Sequence, residues 1–156
     1  MTETHETKQA RGKLLEIASA AARFGLAAVW IVAGWTKIGA HMEVAQNIIA
    51  YEIFTHEWSN ILAQWIGPLE LAGGLLLLAG IKLRECGWVS IGVLVLFIIG
   101  MYSAWSRGLV IDCGCFSPQP SDEGTNLIET ILRDFVLIAA TLFMIYVPYK
   151  KFAIYP

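Results

Sequence analysis

Charge is scarce in this chain of 156 residues, because Asp, Glu, Lys and Arg make up 15% of it against 56% hydrophobic residues. A soluble domain of this size carries about a quarter of its residues as charges. The charges that are present cluster between apolar runs of roughly 20 residues, the length that crosses a bilayer. The deficit argues against a soluble domain and predicts a single integral membrane domain over residues 1–156, surrounded by lipid.

An excess of basic residues is also missing, since the formal net charge is −2. No basic stripe is present to neutralise phosphates, so a nucleic-acid partner is not expected. An internal repeat, which many transporters possess, is absent as well. A small-solute transporter that uses Glu70 as its ion-coupled group is therefore the least favoured of the functions considered.

Four apolar segments predict an all-α membrane protein, a bundle of four transmembrane helices. They cover residues 15–40, 61–81, 87–105 and 127–147, and a polar tail at 1–13 precedes them.

The connection between the first two spans shows a helical pattern of its own. Its apolar residues recur at helical spacing between polar ones, and they are Ala45, Ile48, Ile49, Ile53 and Phe54. This pattern predicts an amphipathic helix within residues 41–60 that lies on the membrane surface. Such a helix either covers the cysteine-containing loop described below or docks a partner.

Two of the connections between the predicted spans contain little or no Lys and Arg. Residues 41–60 contain neither, and residues 106–126 contain only Arg107, whereas both termini and the connection at residues 82–84 are positively charged. The positive-inside rule therefore predicts cytoplasmic N- and C-termini. Residues 106–126 then face the extracytoplasmic side.

Only three cysteines occur, and two of them flank one glycine in the run Cys113-Gly114-Cys115. Disulfides persist on the extracytoplasmic side, where this run is predicted to lie. Residues i and i+2 form a disulfide only if the backbone bends, which glycine permits. The resulting ring is small and strained, and strained disulfides exchange readily. Asp112 either disfavours a neighbouring thiolate by its charge or relays a proton.

Two other roles for Cys113 and Cys115 stay open. They are a structural clip, although a clip that closes so short a loop adds little stability, or a metal site completed by His41 or His56. A closed metal site needs four ligands at recognisable spacing and a second cysteine pair is absent, so no metal is predicted. A redox-active pair is the favoured interpretation.

Four charged residues fall inside or beside the predicted spans. Glu70 lies about ten residues into the second span, Arg133 and Asp134 lie early in the fourth, and Lys37 lies near the outer end of the first. A rise of 1.5 Å per residue puts Glu70 roughly 14 Å and Arg133 roughly 9 Å below the outer edge. We therefore expect a Glu70–Arg133 ion pair beneath the cysteine loop. It either locks the helices together or handles protons or substrate.

Several stretches resemble a known group of membrane proteins. The residues that carry the resemblance are Phe24-Gly25-Leu26, Ala33-Gly34-Trp35-Thr36-Lys37-Ile38, Pro68-Leu69-Glu70-Leu71-Ala72-Gly73-Gly74, Asp112-Cys113-Gly114-Cys115-Phe116 and Ile131-Leu132-Arg133-Asp134. The first three are similar to the DoxX-like superfamily of four-helix membrane proteins, and the last two to its MauE branch, the methylamine-utilisation membrane proteins. Ser117 and Asp134 stand where that branch often has Gly and Asn.

The resemblance implies a protein of the bacterial plasma (inner) membrane that takes part in extracytoplasmic disulfide chemistry. Its partner would be a thioredoxin-like or DsbA-like protein, and quinone is the cofactor suggested by relatives in the wider superfamily. Cys113 and Cys115 would be the redox pair, and Glu70 and Arg133 would shape a polar site below them. The alternative is a non-enzymatic accessory or assembly subunit of a larger respiratory or redox membrane complex, so enzymatic activity itself stays open.

Overall fold

A computed structural model describes residues 2–114, 126–149 and 153–154, with side chains from residue 8 onwards. These residues form an all-helical bundle, as the apolar pattern predicts. The helices are α1 (Thr2–Lys37), α2 (His41–Ala50), α3 (His56–Ala79), α4 (Leu83–Ser106) and α5 (Leu127–Tyr146).

In the described part of the chain, three helices are long and apolar enough to cross a membrane: α1 from Lys8 onwards, α3 and α4. Helix α5 matches the predicted fourth span in position. It carries Glu129, Arg133 and Asp134 within its 20 residues, so by composition it stands apart from the other three. The four-span arrangement and the orientation of the termini stay predictions.

The predicted surface helix exists but is shorter than expected. Helix α2 ends at Ala50, and a turn follows in which Glu52 has a left-handed φ of 53°. Thr55 then caps α3, because its hydroxyl accepts a hydrogen bond from the Trp58 backbone N–H at 3.5 Å. The cap gives α3 a start five residues before the predicted one.

Helices α1 and α3 pack antiparallel and unusually close, through glycines. A Cβ added at Gly34 would lie 2.4 Å from the backbone nitrogen of Leu71, and one at Gly74 would lie 2.7 Å from the backbone nitrogen of Ile31. Side chains larger than hydrogen are excluded at both positions, as at other close helix contacts in membrane proteins. This approach brings the end of α1 beside the middle of α3.

Helix α4 packs against α5 and α3, and α5 also packs against α1. The end of the bundle that holds α2, the last turn of α4 and residues 107–114 is called the α2 end. The opposite end, which holds Gly80, residues 147–149 and residues 153–154, is called the Gly80 end.

A fully buried arginine closes the Gly80 end. Arg23 donates hydrogen bonds to the backbone carbonyls of Leu77 (3.0 Å), Leu78 (2.8 Å) and Tyr149 (3.1 Å). Gly80 ends α3 in the left-handed conformation with a φ of 70°. Arg23 thus supplies donors to carbonyls at the C-terminus of α3, where Leu77 also accepts from the Gly80 N–H, and a cation at this position suits the helix dipole.

Candidate functional site

Four charged side chains from three helices line one cavity below the α2 end: Lys37 of α1, Glu70 of α3, and Arg133 and Asp134 of α5. Three of them are nearly inaccessible to solvent, and Arg133 is partly exposed. The four residues were all predicted as supporting polar groups, and the structure brings them together. Their formal charges sum to zero, which reduces the cost of burying them.

Lys37 and Glu70 form an ion pair between α1 and α3. The Lys37 Nζ donates to Glu70 Oε2 at 2.5 Å, and the side chains are 5% and 7% exposed. Gly67 makes the pair feasible, because a Cβ there would lie 3.2 Å from the Lys37 Cβ. The lysine stem therefore runs past α3 where α3 has no side chain.

Arg133 and Asp134 form the second pair within α5. The Arg133 Nε and Nη2 both donate to Asp134 Oδ1, at 3.2 and 2.9 Å. Asp134 is 1% exposed, while the guanidinium of Arg133 lies closer to the surface. Asp134 thus points into the bundle, and its neighbour turns back to neutralise it.

The predicted Glu70–Arg133 pair is therefore wrong in its partners. Glu70 pairs with Lys37 and Arg133 pairs with Asp134, although both pairs face the same cavity. The depth of a residue along its helix can be counted from the sequence, but the rotation of each helix cannot. That rotation, set by the glycine contacts of α1 and α3, decides which cation reaches Glu70.

The remaining wall of the cavity is apolar. Its other residues are Val29, Trp30, Ala33, Leu94, Phe97 and Leu137. The cavity volume is about 40 Å³, whereas pockets for cofactor-sized ligands measure about 300–1,000 Å³. In the described conformation these residues do not fit a quinone.

The described part of the cysteine loop lies against α2. Gly114 has a left-handed φ of 63°, and a Cβ there would lie 2.8 Å from Nδ2 of Asn47, a buried residue of α2. Cys113 and Asp112 are half-buried. Cys115, the second predicted redox residue, and Ser117 lie outside the described residues.

Cys113 packs against an apolar cluster at the α2 end. The buried members of the cluster are Met101, Ala104, Ile111 and Leu127. Phe97 also packs against this cluster and, on its other side, lines the charged cavity. The cysteine loop and the charged cavity therefore belong to neighbouring layers of one bundle.

Two residues at the α2 end were missed by sequence reasoning. Asn47 lies against Gly114. The sequence feature that could have identified it is a polar side chain among the apolar positions of an amphipathic helix. Arg107 donates from Nη2 to the Tyr51 carbonyl at 2.5 Å and lies 3.7 Å from a Glu52 carboxylate oxygen. It connects the end of α4 to the turn after α2. The sequence feature that could have identified it is that it is the one cation in residues 106–126.

The histidines considered as metal ligands have other surroundings. His41 Nε2 lies 3.1 Å from the Asn60 carbonyl, and His56 begins α3. Over residues 8–114, 126–149 and 153–154, no group of three or more His, Cys, Asp or Glu side chains could hold a metal ion.

The helices and the buried charges define a multi-pass helical membrane protein. A family model described as "Methylamine utilisation protein MauE" matches residues 15–147. The chain therefore belongs to the MauE family, as the motif resemblance predicts, and the wider DoxX-like grouping is compatible with this result. No curated protein and no solved structure matches the chain.

Proposed function

We propose that this MauE-family protein is a membrane thiol–disulfide redox protein, in which Cys113 and Cys115 exchange a disulfide with an extracytoplasmic thioredoxin-like partner. The observation that carries the proposal is the bend at Gly114. A left-handed glycine turns the chain between the two cysteines and is seated on buried Asn47. A disulfide between residues i and i+2 needs Cα atoms about 4.4–6.8 Å apart, which a bent backbone allows. Within the described residues Cys113 forms no disulfide, so the proposal concerns the oxidised state of the pair.

The exchange is a pair of thiolate attacks. A thiolate of the partner attacks one sulfur of the Cys113–Cys115 disulfide, the S–S bond breaks, and the other cysteine leaves as a thiolate. A second partner thiolate then attacks the mixed disulfide. The partner becomes oxidised to a disulfide, this chain becomes a dithiol, and two electrons have moved. The reverse sequence oxidises this chain and reduces the partner.

The surroundings of Cys113 suit such exchange. Its side chain is half-buried on the apolar cluster at the α2 end, so one side is held by packing and the other is accessible. Helix α2 and Arg107 fix the neighbouring segments, which keeps the thiol in one place. The charge bias of the connections supports an extracytoplasmic position for this end of the bundle. The bacterial inner membrane is the location that the family resemblance implies.

Trapping of a mixed disulfide tests the proposal. Cys113→Ala and Cys115→Ala each remove one thiol and should trap the partner on the other, as a species in native membranes that a reductant dissolves and mass spectrometry identifies as a thioredoxin-fold protein. Cys86→Ala is the matched control, since Cys86 lies at the Gly80 end and its thiol donates to the Ile81 carbonyl at 3.4 Å. If neither variant traps a partner and the wild-type pair stays in one redox state, the proposal is wrong.

An accessory role in a larger membrane complex is the second candidate, and the family match favours it because the matched description names a utilisation protein and no reaction. In that case the cysteines are a structural clip. Stoichiometric co-purification with a complex, retained with full activity after Cys113→Ser/Cys115→Ser, would establish this role instead of thiol exchange.

A further inference from the structure

The cavity lined by Lys37, Glu70, Arg133 and Asp134 has no part in thiol exchange at residues 113–115. We propose that it is a hydrated proton-binding site, at which Glu70 accepts the proton and Lys37 supplies the counter-charge. No cysteine takes part, so the proposal stands independently of the redox function.

The size and lining of the cavity fit water. A water molecule needs about 10–15 Å³ of accessible cavity and two to four polar partners. The cavity has a volume of about 40 Å³, and four of its ten lining residues have charged side chains, although most of the surface that faces it is apolar. A purely apolar cavity stays dry even at about 150 Å³, whereas the charged side chains among these lining residues can supply the polar partners that a water molecule needs.

Glu70 is favoured over Asp134 as the acceptor because of their partners. Asp134 receives two N–H donors from one planar guanidinium, which never gives up its proton in proteins. Glu70 is paired with a compact ammonium on a flexible stem, and such a group can turn its donors to water. The Lys37–Glu70 contact can therefore loosen, while the Arg133–Asp134 contact stays fixed.

Within the described part of the chain, the other residues that line the cavity carry no charge. Helix α4 contributes only Leu94 and Phe97, and the other wall residues of α1 and α5 are apolar. Among the described residues that line the cavity, only the four charged side chains can therefore interact with the proton.

The proton step involves no electron transfer. A hydronium in the cavity gives its proton to the carboxylate, one O–H bond breaks on the hydronium, and one forms at Glu70. Only Glu70 changes its charge in this step, so the net charge of the four groups changes from zero to +1. Release of the proton to water reverses the step.

Infrared spectroscopy of the protein in lipid nanodiscs tests the site. A protonated carboxyl inside an apolar wall absorbs at a higher C=O stretching frequency than a hydrated one. Lowering the pH should produce such a band in the wild type, in Glu129→Gln and in Asp134→Asn, and the band should be lost in Glu70→Gln. Glu129 is the matched control because it is an exposed carboxylate on α5.

A second variant keeps the test decisive if Glu70→Gln does not fold. Lys37→Met removes the counter-charge and keeps the carboxyl, so the same band should persist across the pH range instead of titrating. A wild type with no titrating high-frequency band, an unchanged band in Glu70→Gln, or wild-type titration in Lys37→Met would overturn the proposal. Cys113→Ser/Cys115→Ser should leave the band as it is, which separates this result from the fate of the redox function.

Discussion

The structure of both layers of the bundle depends on single residues, and some of these residues could be identified from the sequence. The depth of Glu70 and the presence of Cys113 at a loop could be predicted, because each depends on position along the chain. The partner of Glu70 could not, because it depends on helix rotation and on the missing side chain at Gly67. The contact between Gly114 and Asn47 joins residues 67 positions apart, and no local pattern predicts it.

Gly114→Ala should destabilise the protein more than Gly108→Ala does. Both glycines have positive φ, 63° and 70°, so an added Cβ costs roughly 1–2 kcal/mol at each. At Gly114 that Cβ also meets Asn47 Nδ2 at 2.8 Å, whereas at Gly108 nothing lies within 4 Å. The thermal unfolding midpoint should fall further for Gly114→Ala.

The same pair of variants reports on the cysteine loop. Displacement of the loop from α2 should make Cys113 react faster with a maleimide in Gly114→Ala, with Cys86→Ala and Cys115→Ala as the common background. Equal unfolding midpoints and equal alkylation rates in the two glycine variants would show that the loop does not depend on Asn47.

At the scale of the helices, the bounds of α5 follow the apolar run closely, whereas α3 and α4 begin five and four residues before the predicted spans. The first 13 residues of α1 lie outside the predicted span, because a polar segment without proline carries no apolar signal although nothing in it breaks a helix. Helix α2 was predicted from its periodicity, and its end at Ala50 depends on the turn at Glu52. The spacing of α1 and α3 depends on glycines that face the neighbouring helix. The sequence contains these glycines, but it does not indicate which of them lie at the helix contact.

Gly34→Ala should separate α1 from α3, and Gly25→Ala should not. The first change places a Cβ 2.4 Å from the Leu71 backbone, while the second meets nothing within 4 Å in the same helix. We expect a lower thermal unfolding midpoint for Gly34→Ala and a midpoint at or above the wild-type value for Gly25→Ala, since alanine is the better helix former. A distance between spin labels on α1 and α3 would report the separation directly, and an unchanged distance in Gly34→Ala would contradict the close packing.

At the scale of the whole molecule, the two ends of the bundle are closed by different means. The α2 end is closed by a short helix, Arg107 and the cysteine loop, and the Gly80 end by Arg23 and the C-terminal segment. Ile154 donates its backbone N–H to the Ala79 carbonyl at 3.0 Å, which seats that segment on the end of α3. The low content of charged residues predicted the bundle. The contacts of Arg23 join residues far apart in the chain, and no local sequence pattern predicts them.

Arg23→Met should loosen the Gly80 end. The Leu78 and Tyr149 carbonyls would lose the donors that Arg23 supplies, whereas the Leu77 carbonyl would keep the Gly80 N–H. A buried polar group left unsatisfied costs about 1–3 kcal/mol. Thermal unfolding should begin at a clearly lower temperature, and a protease should cut the C-terminal segment faster than in the wild type. Arg84→Met is the control, because Arg84 is exposed, and an equal response of the two variants would refute the clamp.

The positions of the two ion pairs affect how the helices are inserted into the membrane. As the predicted fourth span, α5 would enter the bilayer already neutralised, because it carries both partners of its own pair. Helices α1 and α3 each carry one half of a pair, so each brings an uncompensated charge until the other arrives from the ribosome. We therefore expect α1 to stay beside the translocon until α3 has been synthesised. The association of α1 with α3 is then the earliest committed step of assembly.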